Sequence, residues 1–139
     1  MAQLYVAGPV LRPDSSGQIA ELLNAIYGAV ADTARQANMG MSLPVQERFL
    51  EEAAPEQFFA EIYIRITAAD AVITVFAPFD PSGPIESAIA ALLKKPQLII
   101  ALRPNEVPRM MRGLPGVSAV VPAREIESVI SSVSRFLRL

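Results

Sequence analysis

Apolar residues recur along this chain in two rhythms. The runs Ala71 to Phe76 (AVITVF) and Gln97 to Leu102 (QLIIAL) are continuous and rich in β-branched residues, as strands covered on both faces are. Gln3 to Ala7 (QLYVA), stopped by Gly8-Pro9, predicts a first strand and its turn; Met41 to Val45 predicts a weak second strand ended by Pro44; Val117 to Val121 predicts a fifth. Between them the spacing turns helical. Ile19, Leu22, Leu23, Ile26, Val30 and Ala34 make one face of a helix over Gln18 to Gln36, and Phe58, Phe59, Ile62, Ile66 and Ala69 one face of a helix begun by Pro55. A third helix opens at Pro84 and closes at Lys94-Lys95, and a last one runs from Arg124 to Leu137 with Ile126, Val129, Ile130, Val133 and Leu137 on one side. Gln46 to Ala53 reads as a helical turn or a loop over the site, and Arg103 to Gly116 as a Pro-rich and Gly-rich loop.

Strands alternating with helices predict an α/β fold. The expected form is a single-domain, flavodoxin-like or Rossmann-like three-layer sandwich over residues 1–139, with a parallel five-stranded sheet. Right-handed crossovers leave few strand orders, of which 2-1-3-4-5 is favoured. That order puts the switch point between the first and third strands. The turns at Gly8-Pro9 and at Asp80 to Gly83 then flank one crevice at the carboxyl edge.

Composition narrows the chemistry. The chain has no histidine and no cysteine, so the usual zinc ligands and the commonest general base are missing. Acid–base or nucleophilic work must fall to carboxylates, tyrosine or lysine, and no metal or cofactor is implied. A net charge of −2 argues against nucleic acid as a partner. Eight of the twelve basic residues nevertheless lie from Lys94 onward, which suits either a phosphate contact or a solvated surface. No apolar run is long enough to cross a bilayer, and MAQLYVAGP does not resemble a signal peptide, so a cytoplasmic protein is expected.

In the third helix, Pro84 at the first helical position would make Gly83 the N-cap and Glu86 the third residue. There the helix dipole would keep its carboxylate ionised at neutral pH, which suits a nucleophile; Glu is also favoured in first turns for stability alone. Asp80 and Ser82 are ordinary turn formers beside the same crevice. Tyr5 either packs in the core, as an aromatic on a strand does, or turns toward the crevice three residues before Gly8. Glu61 and Arg65, spaced i, i+4, account for each other as a surface ion pair.

Three segments, LYVAGP (Leu4 to Pro9), TAADAVITVF (Thr67 to Phe76) and SGPIESAIAALLKKP (Ser82 to Pro96), together resemble the nucleoside 2-deoxyribosyltransferase superfamily, which includes nucleoside 5′-monophosphate N-glycosidases. The likeness rests on Tyr5 to Gly8, Ala69-Asp70, Ser82-Gly83, Glu86 and Lys94-Lys95-Pro96. It implies attack on the anomeric carbon of a nucleoside or nucleotide by Glu86, with Tyr5 orienting that carboxylate. It also implies that Gly8 and Pro9 let the substrate approach the backbone, and that Ser82, Gly83 and Asp80 at the helix start hold a 5′-phosphate or 5′-hydroxyl. For a phosphorylated substrate, Arg12 is a further contact, followed by the loop carrying Arg103, Arg109 and Arg112. Glu61 is the nearest counterpart of the family's second acid, one position out of register. A homo-oligomer is implied as well, with Met110, Met111 and Leu114 suited to an interface.

Two features depart from the family pattern. Pro84 stands where a glycine is frequent, and Ser87-Ala88 follows Glu86 in place of Leu-Gly or Ile-Gly. These changes suit an alternative, a nucleotide-binding or sensing module that keeps the crevice without turnover. The lack of a Pro-Gly-Gly turn before Glu86 disfavours a cytokinin-type hydrolase.

Overall fold

The computed structural model describes residues 2–11, 16–43 and 52–138. Among them, the strands β1 (Gln3–Ala7), β2 (Gly40–Ser42), β3 (Ala71–Phe76), β4 (Gln97–Ala101) and β5 (Val117–Pro122) form one parallel sheet in the order β2-β1-β3-β4-β5. The helices are α1 (Gln18–Gln36), α2 (Pro55–Ala68), α3 (Ser82–Leu92), the short α4 (Arg109–Arg112) and α5 (Ile126–Leu137). This is the predicted α/β architecture and strand order.

Alternate residues of each strand feed two cores. Leu4, Val6, Ile73, Val75, Leu98 and Ile100 pack under Leu23, Ile26 and Val30 of α1 and Val129 and Val133 of α5. On the other face, Tyr5, Ala7 and Val72 meet Ile62 and Ile66 of α2 and Ala90 of α3, while Phe76, Ile99 and Ala101 lie under Val107 and Met111. β3 and β4 are buried along their whole length, which is why their sequences show no alternation.

Several boundaries differ from expectation for identifiable reasons. Burial in α2 is confined to Ile62 and Ile66, so only its second half lies on the sheet; Phe58 and Phe59 are exposed. Ile19 on α1 and Ile130 on α5 are likewise outside the core. The loop after β4 does carry regular structure, a 3-10 turn at Pro104–Glu106 followed by α4. α4 puts Met111 into the core and packs Leu114 against it, leaving Met110 as the exposed member of that trio. Asp70 ties down the amino edge: its carboxylate accepts the Gln3 N–H at 2.8 Å. α3 ends with Lys94 in the left-handed region at φ 59°, its N–H and that of Lys95 returning to the Ala91 and Ala90 carbonyls. No helix among the described residues is long and apolar enough to cross a membrane.

Candidate active site

The turn after β3 is built by Asp80. Its Oδ1 accepts the Ser82 N–H at 3.2 Å and the Ser82 hydroxyl at 2.8 Å, and its Oδ2 accepts the Gly83 N–H at 3.3 Å. A helix start leaves its first N–H groups without partners, and one carboxylate here takes two of them. The helix therefore begins at Ser82 with Pro81 as N-cap, two residues before the predicted start. Gly83 is its second residue rather than the cap, and Glu86 its fifth.

Glu86 is half-buried and faces β1, where the Tyr5 hydroxyl donates a short hydrogen bond to its Oε1. Tyr5 satisfies both expectations at once: its ring is in the core beside Ile62 and Ile66, and its hydroxyl reaches the crevice. Burial pushes the Glu86 carboxyl up from its ordinary 4.5 to about 7; the Tyr5 hydrogen bond opposes the rise and the Asp80 charge adds to it. The expectation that the helix dipole keeps this group fully ionised is thereby overturned. Glu86 sits one turn inside a helix whose first donors Asp80 has taken, so desolvation outweighs the dipole. Burial, then the Glu86 charge beside it, pushes the Tyr5 phenol far above its ordinary value, so it remains a donor at any working pH.

Across the crevice, Gly8 and Pro9 end β1. A Cβ on Gly8 would lie 2.6 Å from the Tyr27 hydroxyl and 3.1 Å from both Val75 Cβ and the Val75 carbonyl oxygen, and its φ of +155° disfavours a side chain. The Tyr27 hydroxyl donates to the Pro9 carbonyl at 2.7 Å, which fixes the turn. Burial raises the Tyr27 phenol, and the Asp80 and Glu86 charges raise it further, so all three groups share one electrostatic neighbourhood.

Glu61 lies on α2, where its Oε1 accepts the Arg65 Nε–H at 2.9 Å. The pair is partly sheltered rather than a free surface pair. Arg65 also donates to the Ser42 hydroxyl at 3.3 Å at the end of β2, and its charge is felt at Tyr5. The structure thus brings Glu86, Tyr5, Asp80, Ser82, Gly83, Gly8 and Pro9 around the switch point, with Glu61 joined to them through Arg65. Arg12, and residues 46–51 of the loop predicted at Gln46 to Ala53, lie outside the described residues. The Arg112 guanidinium is engaged by the Pro104 carbonyl, and Arg103 pairs with Glu106 at 3.5 Å.

Sequence reasoning missed Tyr27, Thr74 and Gln97, and met Ser87 only as a departure from the family pattern. Tyr27 lies in line with Leu23, Val30 and Ala34 on the apolar stripe of α1, and its hydroxyl in that stripe was the available signal. Chemically, the arrangement offers a carboxylate whose proton affinity is raised by burial, a hydrogen-bond donor on it, and a second carboxylate, Asp80, whose charge acts on the first.

No protein-family model matches the sequence, and no curated protein matches it either. Solved structures do match over nearly the whole chain. The CMP N-glycosidase BcmB of Clostridium botulinum superposes with a TM-score of 0.69 at 12% identity, covering 96% of this chain and 98% of its own. A 2-deoxyribosyltransferase of Bacillus psychrosaccharolyticus gives 0.65 at 16% identity, covering 95% and 96%. The flavoenzyme NAD(P)H:(acceptor) oxidoreductase FerB of Paracoccus denitrificans gives 0.58 at 15%, covering 99% and 96%. At these identities the shared property is the fold, which hosts more than one chemistry.

Proposed function

We propose that this chain belongs to the nucleoside 2-deoxyribosyltransferase superfamily. In this reading it is a cytoplasmic enzyme that cleaves or transfers the N-glycosidic bond of a nucleoside or its 5′-monophosphate. The observation that carries the reading is the hydrogen bond from Tyr5 to Glu86 at the switch point of the sheet. Fold alone does not separate N-glycosidases from flavoenzymes, but a carboxylate nucleophile is the usual agent of glycosyl transfer, and the family resemblance implies one oriented by Tyr5. Ionised Glu86 attacks C1′ and forms a C1′–O bond as the C1′–N bond breaks; the base leaves with the electron pair and takes a proton from water. Water then adds to C1′, loses a proton, and returns Glu86 as carboxylate; in transfer a second base takes the place of water.

Ser82 and Asp80 face the 5′ end of such a substrate. Asp80 already occupies the helix start with negative charge, which favours a 5′-hydroxyl donating to it over a 5′-phosphate. Gly8 and Pro9 line the opposite wall, and Glu61 with Arg65 lies toward β2. The homo-oligomer belongs to the same proposal: Phe59, Tyr63, Ile85, Leu92 and Met110 leave apolar surface exposed on α2, α3 and α4. Light scattering on the purified protein tests it.

The deciding experiment incubates the protein with deoxynucleosides, ribonucleosides and their monophosphates and measures free base. Release that disappears in Glu86→Ala is expected; release that survives it unchanged overturns the nucleophile. The non-catalytic module remains the second reading, favoured by Ser87 in place of the usual aliphatic residue, and it expects ligand-dependent thermal stabilisation without release.

A further inference from the structure

Thr74, Ser87 and Gln97 are polar, fully buried and outside the chemistry described above. The Ser87 hydroxyl donates to Gln97 Oε1 at 2.6 Å, and Gln97 Nε2 donates back to the Ser87 carbonyl at 3.0 Å. Turning the Gln97 amide over would set its oxygen against that carbonyl, so the orientation is determined. With the Ser87 proton committed, Thr74 is the donor in its 3.2 Å contact with Ser87 Oγ. Among the described residues no buried side-chain nitrogen or oxygen lacks a partner, and here that satisfaction is closed within three residues from β3, α3 and β4.

Register explains why the cluster matters. Tyr5, Val72 and Gln97 stand side by side across β1, β3 and β4, so Tyr5 and Gln97 share a face of the sheet about 10 Å apart. α3 lies over that row. Glu86 and Ser87 are consecutive, hence about 100° apart around the helix. One reaches Tyr5 and the other reaches Gln97. A helix held only by Ala90 and its apolar neighbours could roll; one gripped on both sides of a single row cannot.

We propose that the Thr74–Ser87–Gln97 cluster is a positioning device, which fixes the rotation of α3 about its own axis and so holds the Glu86 carboxylate on the Tyr5 hydroxyl. Its importance for catalysis rests on Glu86 being the nucleophile proposed above; the geometric coupling stands apart from that. Glu86 is faced by Tyr5 from β1 and Asp80 from the preceding turn, shares its field with Tyr27 of α1, and Arg65 of α2 acts on Tyr5.

The test is a double-mutant cycle read by the carbon-13 NMR titration of Glu86, assigned by its loss in Glu86→Gln. In the natural chain Tyr5→Phe removes the bond that lowers the Glu86 midpoint, raising it by about one pH unit. In a Thr74→Val/Ser87→Ala/Gln97→Met background, which replaces the network by apolar groups of similar size, the Tyr5→Phe effect should fall to less than half. An undiminished effect overturns the proposal. Should the triple variant not fold, Ser87→Thr and Ser87→Val are compared, since they share a shape and differ in the hydroxyl. Coupling is expected in the first and not the second, and equal coupling overturns the proposal. In the activity arm, kcat in the triple variant should fall about tenfold with KM within twofold. If the natural chain releases no base, the proposed reaction fails while the NMR cycle still decides the positioning role.

Discussion

Replacing Glu86 by Gln should make the protein more stable, and only above the acidic range. The carboxyl rises from 4.5 in the open chain to about 7 in the fold because burial disfavours its charge. Below about pH 4.5 it is protonated in both states and folding is unaffected. Between 4.5 and 7 the unfolded chain releases the proton while the folded chain retains it, so stability falls as pH rises. Above 7 the loss is complete. At about 1.4 kcal/mol per pH unit the rise from 4.5 to about 7 gives at most about 3.5 kcal/mol, reduced to about 3 kcal/mol because the group keeps one side open to the crevice. Glutamine has no charge to lose, is nearly the same shape, and its carbonyl still accepts from Tyr5. For a chain of 139 residues, about 3 kcal/mol is roughly 10 °C in Tm. Thermal melts of both proteins from pH 4 to pH 9 should therefore coincide at the acid end, separate between about pH 4.5 and 7 and stay apart above it, the variant melting higher. A Tm difference that stays flat across this range, or a variant less stable at pH 8, refutes the claim that desolvation governs Glu86.

If Glu86 must be ionised to react, kcat/KM for base release should rise with pH through a midpoint near 7, and Tyr5→Phe should displace that midpoint upward in a pH–rate profile. Gly8→Ala should lose about 2 kcal/mol in urea unfolding, through its positive φ and the Tyr27 hydroxyl 2.6 Å from the new methyl; Tyr27→Phe in the same chain should restore part of it. Lys94→Gly should gain about 1 kcal/mol by relieving the left-handed conformation at the end of α3, seen as a higher urea midpoint with unchanged slope.

Element order and sheet order were legible because strand and helix rhythms in this chain do not overlap and parallel crossovers admit few arrangements. The strand order alone brings β1 beside the start of α3, but the partnership of Tyr5 with Glu86 is implied by the family resemblance; the residues by themselves leave Tyr5 between core and crevice. Protonation was not legible. A helix-start rule treats Glu86 as a dipole-stabilised anion, while its state depends on how much of the ring of Tyr5 and the walls of the crevice exclude water, a property of the assembled layers. The cluster of Thr74, Ser87 and Gln97 was not legible for the same reason. Ser87 stood out only as a departure from the family pattern, Thr74 and Gln97 not at all, and only the register Tyr5–Val72–Gln97 makes them one cluster. Phe58 and Phe59 show the opposite error, an apolar stripe extending beyond the part of α2 that the sheet covers.

α3 starts at Ser82, two residues before the position that Pro84 predicts, and the reason bears on the substrate. Pro84 reads as the first helical residue because its missing N–H is harmless there. It is equally harmless at the third position, where the N–H would also lack a partner within the helix. Accounting for the first three positions then closes: the Ser82 and Gly83 N–H groups point to Asp80, and Pro84 has none to offer. A helix that began at Pro84 with an open N-terminus would present free donors and positive potential to an anion. This one presents a carboxylate and a hydroxyl whose proton is committed to it. Asp80→Asn should therefore lower the Glu86 midpoint by removing a repulsive charge, and should move the ratio of base release from nucleosides to that from their monophosphates toward the phosphorylated substrates. A ratio unchanged by Asp80→Asn, with the Glu86 midpoint displaced as expected, would put the 5′ end of the substrate elsewhere in the crevice.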